Sequence, residues 1–178
     1  MPEHPGFVLR QINGRSMIQL RVRPNGAEAA IEALQLPQQA LQWRAGDPAT
    51  CWLGPDLWLL TSDTKPAEEI TVHIDHRLSG QLYAATDMSS HYVCFALRGH
   101  SARTVLAMGC GIDLHPGAFT TGQCVRTHFA NVLLLIVAVA EDHFDLYVDR
   151  SHSRYLNDWI ANAGEDPVTQ IRNYGELI

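Results

Sequence analysis

Lysine is nearly missing: Lys65 is the single one in 178 residues. Thirteen basic side chains face 19 acidic ones, a formal net charge of −6, and no basic stripe stands out. Nucleic-acid binding relies on clustered Lys and Arg that release counterions from phosphates, so this balance argues against a nucleic-acid partner. Long hydrophobic runs are missing too. The longest, VLLLIVAVA (132–140), has nine residues, whereas a membrane helix needs about 20. The opening MPEHPGFVLR lacks the apolar stretch of a secretory leader. These absences lead to the expectation of a soluble, cytoplasmic chain without membrane contact. Cys51, Cys94, Cys110 and Cys124 form no CxxC pair, and reduced thiols are expected. There is no P-loop, no HExxH and no GxSxG.

What is present is a globular composition, 46% hydrophobic and 18% charged, not a disordered one. A chain of this length buries roughly 70% of its unfolded surface and builds a core without staples. The length fits one domain or two small ones.

The first half alternates strand and helix signals. SMIQLRVR (16–23) has strand periodicity, and PNG (24–26) breaks it. AEAAIEALQL (27–36) puts Ala30, Ile31 and Leu34 on one helical face and is stopped by Pro37. TCWLG (50–54) and LWLLTS (57–62) flank Pro55-Asp56 as a hairpin. TKPAEEITVHIDHRLSG (64–80) has an early proline and first-turn acids and ends at Gly80, as a helix should. QLYAATD (81–87) closes the set. The order βαββαβ predicts a ferredoxin-like lobe.

The second half starts similarly. YVCFALRG (92–99) reads as a strand, and HSARTVLAMG (100–109) as a helix with Ala102, Val105 and Leu106 on one side. Runs 124–130, 132–140 and 143–149 read as strands. SHSRYLNDWIANAG (151–164) reads as a helix capped by Ser151, with Tyr155, Leu156, Trp159 and Ile160 facing inward. The tail EDPVTQIRNYGELI is expected to be irregular. The fold class is therefore α+β: two lobes, 1–87 and 88–178, with antiparallel sheets and helices packed on them. The run at 132–140 is apolar on both faces, so both should be covered. Either the lobes do this or another protein does.

The stretch GCGIDLHPGAF (109–119) holds a thiol, a carboxylate and an imidazole within six residues. A nucleotide loop is not supported, because the third glycine position of GxGxxG is Leu114. A zinc site would need Cys124 and His128 as its second pair. A nucleophile built from Cys110 and His115 is disfavoured because Cys110 follows a helix C-terminus, whose dipole opposes a thiolate. A structural or partner-facing loop is the stronger reading. In it, Gly109 takes a left-handed helix-ending conformation, Asp113 satisfies loop amides, Pro116-Gly117 turns, and Ile112, Leu114 and Phe119 pin the loop to the core. The candidate structural or interface residues are Gly109, Cys110, Asp113, His115 and Phe119. His73 and His76 are read as a solvated helix face, His91 as a loop residue, and Trp52, Trp58 and Trp159 as core or interface. No residue emerges as catalytic, cofactor-binding or metal-binding.

Three segments together resemble a known family. WLGPDLWLL (52–60), ATDMSSHYVCFALRGHSARTVLAMGCGIDLHPGAF (85–119) and RSHSRYLNDWI (150–160) are similar to the gamma subunit of heterotetrameric sarcosine oxidase. Gly99-His100 stands where a Gly-Pro pair is expected, and Leu57 where an acid is expected. The resemblance implies an aminomethyltransferase-like fold and a chain without a cofactor of its own. It implies alpha, beta and delta partner subunits carrying FAD, FMN, NAD and tetrahydrofolate. The implied reaction is oxidative demethylation of sarcosine to glycine, with hydrogen peroxide formed and the one-carbon unit passed to tetrahydrofolate. A free-standing folate-binding module of the aminomethyltransferase type is the alternative.

Overall fold

A computed structural model describes residues 6–164. The expected irregular tail, 165–178, lies outside them. The described chain forms ten strands and four α-helices and divides into two compact units.

The first unit comprises residues 13–92 and 122–125. Its strands are β2 (Ser16–Val22), β3 (Trp43–Arg44), β4 (Ala49–Gly54), β5 (Leu57–Ser62) and β6 (Tyr83–Asp87), ordered β3-β4-β5-β2-β6. Helix α1 (Ala27–Leu34) joins β2 to β3, and α2 (Ala67–Arg77) joins β5 to β6. Without β3 this is the split βαβ arrangement expected of a ferredoxin-like lobe. Strand β2 lies inside the sheet, between β5 and β6. Ile18, Leu20 and Val22 are all buried, packed in one cluster with Trp58, Leu60, Ile70, Ile74 and Leu78. Each such side chain contributes roughly 1.5–3 kcal/mol by leaving water. The indole N–H of Trp58 donates to the Pro37 carbonyl at 2.8 Å, so its polar edge is satisfied inside the core.

Local signals set the element ends. Helix α1 stops at Leu34, earlier than Pro37 alone would require, because Gln35 turns left-handed at φ 52°. The 4–5 hairpin turns at Asp56 with φ 61°. Helix α2 starts after Pro66, with Glu68 and Glu69 in its first turn, where the helix dipole favours acids. Gly80 follows it at φ 83°.

The second unit repeats this order with one exchange. Its strands are β1 (Val8–Ile12), β7 (Tyr92–Arg98), β8 (Cys124–Phe129), β9 (Val132–Ala140) and β10 (His143–Asp149). Helix α3 (Ala102–Gly109) follows β7, and α4 (Ser153–Gly164) follows β10. The sheet order is β1-β7-β10-β9-β8. Strands β7, β9 and β10 occupy the places of β2, β4 and β5, and β8 is the extra edge strand as β3 is. The fourth place, filled by β6 in the first unit, is filled here by β1 from the front of the chain. It pairs antiparallel with β7 from Val8↔Arg98 to Ile12↔Cys94.

This exchange corrects the expected boundary. Residues 8–12 do not belong with the rest of 1–87; their backbone groups pair with β7, so they sit in the second unit. Two further expectations fail at α4. Ser151 lies in a 3-10 turn, Arg150–His152, and the hydroxyl of Ser153 bonds back to the Arg150 carbonyl at 2.8 Å. Tyr155 is exposed, while Leu156 and Ile160 are buried. In β9 both faces are buried from Leu134 to Ala138, and Leu133 is the one large apolar side chain on the strand left open, at 38% exposure. The doubly apolar run therefore does not by itself call for a partner.

Two outcomes follow from the first unit. Leu20→Ala, at the centre of β2, is expected to cost about 2–5 kcal/mol, read from denaturant unfolding. Asp63 takes a two-pronged hydrogen bond from Arg15 at 2.7 and 2.8 Å, which holds its carboxyl below the usual range against an opposing effect of burial. A lowered folded pKa stabilises above the unfolded value of about 4. That stabilisation is lost as pH falls through the folded value. Asp63→Asn is expected to remove this part of the acid-side slope in a thermal melt series.

Candidate functional site

The loop 109–119 is built outward from α3. Ala102, Val105 and Leu106 are buried and seat the helix on its unit. Gly109 is its last residue, and Cys110 is already extended at φ −114°. Gly109 does not adopt the left-handed conformation expected of a helix stop. Its role is steric. A Cβ there would lie 2.7 Å from two ring atoms of Phe129 and 2.9 Å from Trp159. Those rings meet edge to face, with centroids 4.6 Å apart. The Gly109 carbonyl accepts the Ala130 N–H at 2.7 Å, and Cys110 bridges Phe129. The glycine thus lets the helix end lie directly on the 8–9 hairpin.

The polar residues of the loop are occupied by the loop. Asp113 accepts the His115 N–H at 2.8 Å. The His115 carbonyl accepts the amides of Ala118 and Phe119 at 2.8 and 2.9 Å, and its Nδ1 accepts the Gly117 N–H at 3.1 Å. Leu114 and Phe119 are buried and anchor the segment, whereas Ile112 is half-buried. Cys110 is half-buried, and among the described residues no hydrogen bond joins its thiol to His115.

Arg103 closes the loop, a role the sequence reading missed. Its guanidinium donates to the carbonyls of Leu114, Phe119 (2.9 Å) and Glu141 (3.2 Å) and lies 4.9 Å from the Phe144 ring centre. Burial pushes its pKa below the ordinary arginine value, and the nearby Asp142 and Glu141 oppose this. The available signal was a lone arginine in an otherwise small and apolar helix, ARTVLAMG.

Other singled-out residues have ordinary surroundings. Asp87 accepts the N–H and hydroxyl of Ser89 at 2.9 and 2.6 Å, and Ser89 accepts the Met17 N–H at 2.9 Å. The His91 ring packs edge-on against Tyr92. Cys124 is buried with its thiol 3.1 Å from the Gln42 carbonyl, and His128 is exposed. His73 and His76 are exposed on α2. Among the described residues no three His, Cys, Asp or Glu side chains gather as a metal site, and no helix is long and apolar enough to cross a membrane. Three surface grooves, of about 450, 470 and 450 Å³, are lined by residues outside the loop. The arrangement offers shape and hydrogen bonding.

Gly109→Ala is expected to cost about 1–3 kcal/mol by overpacking against Phe129 and Trp159, measured by chemical denaturation. Arg103→Met, which keeps the aliphatic stem, is expected to leave the sheets intact while amides of 114–119 exchange at least tenfold faster.

Comparison with known proteins agrees with this geometry. The model of the sarcosine oxidase gamma subunit family matches residues 22–166. The gamma subunit of sarcosine oxidase from Corynebacterium sp. (strain U-96) is 29% identical over 162 residues, covering 87% of this chain and 78% of that protein. A chain of the heterotetrameric sarcosine oxidase from Corynebacterium sp. U-96, solved with pyrrole 2-carboxylate, superposes with a TM-score of 0.82 at 26% identity, over 92% of this chain and 86% of that one. The glycine cleavage system aminomethyltransferase T from Bartonella henselae gives 0.64 at 16% identity, over 87% of this chain and 45% of that one. The last is a likeness of fold, and it places both units in the aminomethyltransferase-like class. With the family match running from the end of β2 through α4, this chain belongs to the sarcosine oxidase gamma subunit family.

Proposed function

We propose that this chain is the non-catalytic gamma subunit of a cytoplasmic heterotetrameric sarcosine oxidase and acts in assembly and stabilisation of that complex. The complex oxidatively demethylates sarcosine to glycine with oxygen as electron acceptor, forms hydrogen peroxide and passes the one-carbon unit to tetrahydrofolate. FAD, FMN, NAD and tetrahydrofolate belong to the alpha, beta and delta subunits, and this chain binds none of them. One observation carries the reading beyond family membership. In the loop that most resembles a reaction centre, the Asp113 carboxylate and the His115 Nδ1 are spent on loop amides, and Cys110 has no bond to His115. A nucleophile and base within hydrogen-bond reach are what covalent catalysis requires.

The fold likeness to aminomethyltransferase T favours a second reading, a free-standing folate-binding module. It is the weaker one because it rests on a likeness of fold alone, at 16% identity, whereas the family match supports the subunit.

Purification of the tagged chain from its native organism separates the two. A yellow complex with a flavin spectrum and three further subunits is the expected result. A colourless single chain that releases heat with tetrahydrofolate in calorimetry would contradict it and support the module.

A further inference from the structure

Strand β6 stands at the end of the first unit's sheet, beside β2. The two pair antiparallel in unbroken register, from Ile18↔Asp87 to Val22↔Tyr83. The Arg23 N–H donates to the Leu82 carbonyl at 3.0 Å, and the Met88 N–H to the Met17 carbonyl at 2.7 Å. Every second residue of an antiparallel strand bonds a given neighbour. Leu82, Ala84, Thr86 and Met88 therefore turn their N–H and C=O groups towards β2, and Tyr83, Ala85 and Asp87 turn theirs away. Among the described residues these outward groups bond nothing. Tyr83 meets Asp75 through its hydroxyl, and Asp87 meets Ser89 through its carboxylate. Ala84, Thr86 and Asp87 are exposed. Such an edge is a template for strand addition.

The two faces of this edge differ in charge. Tyr83 and Ala85 pack on the buried cluster, and Asp87 shares their face by alternation, so a carboxylate stands at that end. On the other face Arg21 lies opposite Ala84, and Arg23 is bonded to Leu82. Both arginines are exposed. With Pro24, Asp56, Leu82 and Ala84 they line a groove of about 450 Å³, two guanidinium groups against one carboxylate. Leu82 is 59% exposed in it.

We propose that an extended segment of a partner subunit adds to β6 in the antiparallel sense, with a basic residue opposite Asp87, an acidic residue opposite Ala84 and an apolar residue opposite Leu82. Alternation puts the basic residue on the Asp87 face and the other two on the arginine face. Neighbouring strands lie about 4.8 Å apart, and the acid reaches Arg21 over the small Ala84 side chain. The apolar residue covers Leu82 and closes the groove. A second copy of this chain is a poorer occupant. Two β6 strands paired about Ala85 would set Thr86 opposite Ala84 and Tyr83 opposite Asp87, with no acid for Arg21 and no base for Asp87. Complementary charge of this kind fixes register and raises the association rate. The proposal rests on the reading of this chain as an assembly subunit.

The test uses the complex reconstituted from this chain and its larger subunits. On assembly, the amides of Tyr83, Ala85 and Asp87 are expected to exchange at least tenfold more slowly, while those of Ala84 and Thr86, already bonded to β2, change little. Ala85→Pro removes an outward donor and keeps the ladder to β2; it is expected to raise the dissociation constant at least tenfold. Arg21→Glu is expected to weaken binding at least tenfold at low salt, with the gap narrowing as salt rises. Unchanged exchange at the three outward amides, or native affinity of either variant, overturns the proposal and leaves the subunit reading standing. Self-association of the free chain through β6 overturns it in favour of a second copy. Slow exchange at those amides in the free chain, lost when residues 1–5 or 165–178 are removed, overturns it in favour of the chain's own terminus. Failure of the native chain to assemble overturns the subunit reading itself, and the proposal with it.

Discussion

The guanidinium of Arg103 is the fixed point of the second unit. The nine residues 111–119, in neither helix nor strand, leave carbonyls that must find donors. Arg103 supplies them from the first turn of α3, reaching Leu114 and Phe119 on the loop and Glu141 at the 9–10 turn. A single planar group thus joins a helix, a loop and a hairpin. Arginine suits this because its donors form a rigid fork and it keeps its charge when half-buried. Lysine, of which this chain has one, offers a compact point charge in place of a fork whose two nitrogens reach separate carbonyls.

The two units share one strand order, and the difference between them explains what the sequence showed. Strands with clear alternation, such as β2 and β7, and helices with a spaced apolar face, such as α1 and α3, were legible because their periodicity is the burial they achieve. The pair β1 and β3 was not. VLRQI has one strongly buried residue, and Trp43–Arg44 is two residues long, so neither carries a local pattern. Their strand character comes from a neighbour's backbone. The assignment of 8–12 to the second unit is a long-range pairing that no window of sequence contains. The helix start at Ser151 failed for a related reason: a cap is scored by residue type, while a 3-10 turn displaced the helix by two residues.

The loop was legible as a segment and less so in its causes. Asp113 and the apolar anchors Leu114 and Phe119 do what their residue types suggest. Gly109 was read for its backbone freedom, whereas the space it leaves for Phe129 and Trp159 is what matters. Those rings lie 20 and 50 residues further on, so a glycine needed for close approach looks, locally, like a glycine needed for a turn.

A fold of the aminomethyltransferase class, a family of oxidase subunits and a loop whose Asp113 and His115 bond its own amides support the proposed reading, in which this chain contributes structure and its partners the chemistry. The most direct measurement is turnover of the assembled oxidase reconstituted with the double variant Cys110→Ala and His115→Ala. The account predicts turnover within about twofold of the native complex. A fall of roughly 10²–10⁴-fold, the size expected when a general acid or base is lost, with the complex still assembled, would contradict it.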